Sequence, residues 1–77
     1  IGNTPLHIAA RFKPNCLKKI IEHKNMSVNV LFKTDILGNT FLHILNNYHP
    51  QIFNEIINDF DKKLINIKNY FGKDCFN

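Results

Sequence analysis

Apolar positions along this chain fall in short blocks that return in one register. Leu6, Ile8, Ala9 and Ala10 give the first block an apolar, small-residue side. After Pro14, residues Leu17, Ile20, Ile21 and Lys24 follow i, i+3, i+4, i+7 spacing, and after Pro50 the same spacing is kept by Phe53, Ile56, Ile57 and Phe60. Such spacing predicts amphipathic helices. Thr4 and Thr40 stand where an N-cap hydroxyl accepts from the first free amides, and Pro5 takes the first helical position, where its missing N–H costs nothing. Pro14 and Pro50 break one helix and can open the next. Segments 25–37 and 59–71 lack helical periodicity, are rich in Asn, Asp and Lys, and read as extended connectors or hairpins.

The chain is internally repeated. Shifted by 36 positions, Gly2, Asn3, Thr4, Leu6, His7 and Ile8 fall on Gly38, Asn39, Thr40, Leu42, His43 and Ile44. Downstream, Pro14 meets Pro50, Ile20 meets Ile56 and Ile21 meets Ile57, while Leu17 falls on Phe53. A further copy begins at Gly72. A helical pair of this size cannot bury its apolar face alone, which is the physical reason for stacking.

These residues resemble the ankyrin repeat, whose opening Gly-x-Thr-Pro-Leu-His is matched by GNTPLH at Gly2 to His7. GNTFLH at Gly38 to His43 misses only the proline. Asp35 and Asn69 take the place of the family's hairpin aspartate, and Val28-Asn29 and Ile65-Asn66 resemble the pair that closes each unit, with about three extra residues near Val30 to Phe32. Leu45 and Asn46 depart from the usual alanine pair, Asn25 stands where a glycine ends the second helix, and Asp74 replaces the third threonine as a candidate cap. The fold expected is all-α, an ankyrin-repeat solenoid of stacked helix-turn-helix pairs joined by hairpin-like loops. Residues 1–37 form one repeat with its start missing and a long hairpin, 38–71 a second, and 72–77 the start of a further or terminal divergent repeat. The resemblance also implies structural work for His7 and His43, hydrogen-bonding the threonine and the backbone between units.

Composition narrows the chemistry. Ten Lys or Arg against six Asp or Glu give a formal charge of +4, but the cations are scattered among acids in runs of no more than two. A solvated surface fits this better than a nucleic-acid face. Cys16 and Cys75 are far apart without metal or disulfide spacing, so each reads as a small buried or half-buried apolar residue in a reducing compartment. His23 and His49 read as exposed helix-end residues. No metal cluster, nucleophile signature, paired carboxylates or phosphate loop is present, so neither enzyme activity nor a cofactor is expected. No apolar stretch approaches the ~18 residues of a membrane span.

Binding remains. In the resembled family, contacts come from the two residues between the hairpin's aspartate and glycine, and from the first helix just past the alanine pair. Carried onto this chain these are Ile36, Leu37, Tyr70 and Phe71, with Arg11, Phe12, Asn47 and Tyr48. Six of these eight are apolar or aromatic, where solvated loops usually carry polar residues. The partner-binding residues expected are Arg11, Phe12, Ile36, Leu37, Tyr48, Tyr70 and Phe71, with Arg11 and Lys33 adding electrostatic selectivity. The partner expected is another protein (a signalling, transcriptional or host factor), beside flanking ankyrin repeats of the same chain. An intracellular, cytoplasmic location is expected, with the nucleus as the alternative. A structural spacer or cap within a longer array is the rival reading, and an anionic partner with steep salt dependence the third.

Overall fold

The computed structural model describes residues 3–23 and 26–76. Gly2 of the opening motif, Lys24 of the second-helix pattern and Asn25 at its end lie outside the described residues. Among those described, the chain is helical and contains no strand. Helix α1 spans Pro5–Phe12. A 3-10 turn at Pro14–Cys16 leads into α2, Leu17–His23, and a single helical turn, α3, covers Val28–Leu31. The second unit repeats this order: α4 at Phe41–Tyr48, α5 at Pro50–Ile56 running into a 3-10 turn at Ile57–Asp59, then the short α6 at Lys62–Ile65.

Thr4 caps α1 as its position suggests, with Oγ1 accepting from the His7 amide at 3.3 Å. The same hydroxyl lies 2.8 Å from His7 Nδ1, and the remote edge of that ring, Nε2, lies 2.7 Å from the Asn39 carbonyl. A carbonyl can only accept, so Nε2 carries the proton and Nδ1 is the acceptor. The second unit copies the device. Thr40 N donates to His43 Nδ1 at 3.0 Å, and His43 Nε2 donates to the Lys73 carbonyl at 2.8 Å. Both rings are buried with every ring nitrogen bonded, which satisfies the requirement on buried polar groups.

The carbonyls they grip belong to two matching turns. Gly38 N donates to the Asp35 carbonyl at 3.0 Å, while Asp35 Oδ1 accepts from Leu37 N and Asn39 N, each at 2.9 Å. Gly72 and Asn69 repeat the arrangement, with Asn69 Oδ1 accepting from Phe71 N and Lys73 N. Tyr70 N donates to the Leu37 carbonyl at 3.0 Å and Asn69 Nδ2 to Asn39 Oδ1 at 2.9 Å, so the two turns are bonded to each other. Gly38 and Gly72 sit at φ 81° and 77°, a region other residues rarely adopt.

The core lies between the helix pairs. Leu6, Ala10 and Leu17 from the first unit meet Phe41, Leu42, Leu45 and Phe53 from the second, all at 1 % exposure or less. Ala9 and Ala10 let α1 approach α4 closely. In α4, Leu45 replaces the first alanine and fills the core, and Asn46 replaces the second and donates to the Cys75 carbonyl at 2.8 Å. Phe41, which stands where the first unit has Pro5, meets Phe60 edge to face at 5.6 Å, and Phe53 meets Phe76 likewise at 5.5 Å. Such pairs add about 0.5–1.5 kcal/mol each beyond their buried area.

Several expectations need correction. The connectors are not extended throughout, because Asp61 Oδ1 caps α6 by accepting from Lys63 N at 2.8 Å, and Ser27 opens α3 in the same position. Ser27 and Asp61 are 34 residues apart, as are Asp35 and Asn69, so the turns at Val28–Leu31 and Lys62–Ile65 correspond directly. The extra length of the first unit therefore falls between Ile21 and Ser27, not at Val30 to Phe32. Phe60 lies past the helical turns and reaches the core from extended backbone. Ile8 is 51 % exposed instead of joining the apolar side of α1, and Cys16 is exposed. His49 is half-buried, its Nε2 donating to the Arg11 carbonyl at 2.7 Å, so it joins the units where an exposed helix end was expected. His23 is exposed.

The two glycines differ in surroundings. A Cβ at Gly38 would meet Tyr70 Cδ1 at 2.9 Å and Tyr70 N at 3.0 Å, whereas one at Gly72 would meet nothing within 4 Å. Gly72→Ala is expected to cost about 1–2 kcal/mol through the backbone alone, and Gly38→Ala about 1 kcal/mol or more beyond that. Urea unfolding of both variants checks this; equal losses would refute a packing role for the Tyr70 contact. Cys75 gives a pH prediction. It is buried and its thiol contacts the Ile65 carbonyl at 3.4 Å; burial, with the neighbouring Asp74 charge, pushes it from 9.0 up to about 11. The unfolded chain therefore loses this proton first, so its contribution to stability is intact below about pH 9 and is lost as pH rises toward about 11. The stability gap between the natural chain and Cys75→Ala should narrow over that window.

Candidate interaction groove

The helical spacing that buries Leu6, Ala9 and Ala10 leaves a second stripe of α1 uncovered. Ile8, Arg11 and Phe12 stand three and four residues apart on it, and Ile44, Asn47 and Tyr48 repeat the stripe on α4. The His7 and Tyr70 bonds fix the Asp35–Asn39 turn opposite these helices. Together they enclose a groove of about 310 Å³, lined on the helix side by both stripes and on the turn side by Asp35, Leu37 and Asn39.

Arg11 is the groove's cation. Its guanidinium carbon lies 5.0 Å from the Phe12 ring centroid and 4.7 Å from that of Tyr48, so rings from two units flank one charge. Cation–π attraction of this kind contributes about 0.5–1 kcal/mol at exposed sites. Asp35 also faces the groove, but its carboxylate is engaged by Leu37 N, Asn39 N and Asn39 Nδ2. The ion pair present among the described residues, Lys18 Nζ to Asp59 at 2.9 Å, joins exposed groups on another face.

The seven residues singled out from the sequence are all exposed, and the structure divides them. Arg11, Phe12, Leu37 and Tyr48 come together in the groove, as does Asn47. Ile36, Tyr70 and Phe71 stand on the turn tips outside its lining, with Tyr70 76 % and Phe71 69 % exposed. Lys33 is exposed and also lies outside the lining. Sequence reasoning missed Ile8 and Ile44. The signal was present, since each precedes a residue already singled out by three and four positions, but apolar residues at helical spacing were assigned to the core as a group.

A shallower hollow of about 600 Å³ lies along α2, lined by Cys16, Lys19, Ile20, Glu22 and His23. Among the described residues no group of three or more His, Cys, Asp or Glu could hold a metal ion, and no helix is long and apolar enough to cross a membrane.

No curated protein and no solved structure matches the chain. The family model described as ankyrin repeat matches residues 1–30, which take in α1 and α2. That match supports the kinship with the ankyrin repeat family to which GNTPLH, its copy and their paired histidine bonds point.

Proposed function

We propose that this chain is a non-catalytic protein-binding segment of an ankyrin-type solenoid, with the groove between α1, α4 and the Asp35–Asn39 turn as its contact surface. Ankyrin repeats are in general protein-interaction modules. The observation that carries the reading to this face is its uncovered apolar and aromatic surface: Ile8, Phe12, Leu37 and Tyr48 are each more than 40 % exposed. Side chains of this size normally leave water, and aromatic residues with arginine dominate the energetics of protein interfaces. The turn-tip residues Ile36, Tyr70 and Phe71 would extend the same contact for a partner that reaches beyond the groove. Two free cysteines fit an intracellular, cytoplasmic setting, where thiols stay reduced.

Selection of peptides from a displayed random library against the 77-residue chain tests the surface. Tyr48→Ala and Leu37→Lys should each weaken the selected peptides by about tenfold or more, while Lys19→Ala on the exposed side of α2 leaves affinity unchanged. Urea midpoints of the groove variants should stay near that of the natural chain, because both side chains are exposed. Peptide affinity that survives both groove substitutions would refute the groove. Failure to select any peptide would favour the spacer reading.

A further inference from the structure

We propose that the groove's occupant is an extended peptide whose apolar side chains flank an acidic one, and that Arg11 is the residue selecting the carboxylate. This inference rests on the groove being the contact surface. Charge complementarity argues for it. Rings of Phe12 and Tyr48 flank the guanidinium, yet among the described residues no carboxylate pairs with Arg11 and no acceptor meets its N–H donors. The groove's own carboxylate, Asp35, is turned to two backbone amides and the Asn39 side chain, and among the described residues no ion pair joins it to Arg11. His7, on the groove's lining, has both ring nitrogens engaged. One positive charge with its planar donor fork thus stands open, and that fork matches a carboxylate.

The surroundings decide between kinds of anion. Among the described residues Arg11 is the sole Lys or Arg on the groove's lining, which otherwise offers Ile8, Phe12, Leu37, Ile44 and Tyr48 beside amides and the already bonded Asp35 and His7. Nucleic acid binds through a row of cations that neutralise successive phosphates. A single fork set among apolar walls instead suits one acidic side chain with apolar neighbours.

The test uses short fluorescent peptides of phenylalanine, leucine and glycine built around a central pair of glutamates, glutamines or lysines, read by anisotropy with the whole chain. The glutamate peptide should bind about tenfold tighter than the glutamine peptide, and the lysine peptide weakest. Arg11→Gln should erase the preference for glutamate over glutamine, and Arg11→Lys should keep part of it. Circular dichroism should show all variants folded, since the Arg11 side chain is exposed. Equal affinity of the natural chain for the glutamate and glutamine peptides would overturn the inference, as would a preference that survives Arg11→Gln. No measurable binding of the glutamate peptide would overturn it too, as would an oligonucleotide that binds more tightly than that peptide through Arg11. Tyr48→Ala separates the two readings: glutamate and glutamine peptides that bind alike but are both lost in this variant keep the groove and remove the acidic preference.

Discussion

Everything in this fold hangs on two imidazoles, each of which reads its own helix with one nitrogen and the next unit with the other. Nδ1 of His7 and of His43 closes the threonine cap at the start of a helix, while Nε2 reaches a turn carbonyl about thirty residues ahead. The cap selects the tautomer, and the tautomer makes the ring a donor toward the neighbour. The helix cap and the contact with the next unit therefore share one side chain. A chain that formed α1 without the following turn would leave the His7 Nε2–H to water and lose the bond's net contribution of about 0.5–1.5 kcal/mol. Short helices of seven or eight residues are marginal by themselves, and this coupling gives them a reason to form together.

Much of that design was legible in the order of residues. Thr, Pro, Leu and His at fixed offsets name the cap, the first helical position, the core contact and the bridge, and their return in one register names the stack. The glycines were legible too, because the turn needs a positive φ. What escaped was geometry that depends on how units meet. Ile8 and Leu6 are equally apolar, and only the placement of α4 leaves one exposed and buries the other. His49 finds the Arg11 carbonyl because two helix ends lie side by side. The short turns α3 and α6 are too brief for any periodicity to announce, so Ser27 and Asp61 were the sole sequence clues. Among the site residues, the first-helix positions and Leu37 converge because the turn folds over the helices, whereas Ile36, Tyr70 and Phe71 project from its edge.

The second unit shows how the repeat tolerates change. Losing a proline and two alanines, it gains Phe41, Leu45 and Asn46, each with a specific new neighbour: Phe60, the core and the Cys75 carbonyl. All three replacements add volume, and each added side chain meets a neighbour that takes it up, as close-packed interiors require.

The bond from His49 to the backbone of Arg11 has a consequence for recognition. It joins the end of α1 to the end of α4, beside the contact of the Arg11 guanidinium with the Tyr48 ring. Immobilising a long, rotamer-rich side chain at an interface usually costs about 0.5–1.5 kcal/mol at the moment of association. On the proposed reading of the groove, the contacts with the Phe12 and Tyr48 rings that place the Arg11 guanidinium form on folding, so part of that cost would not fall on association.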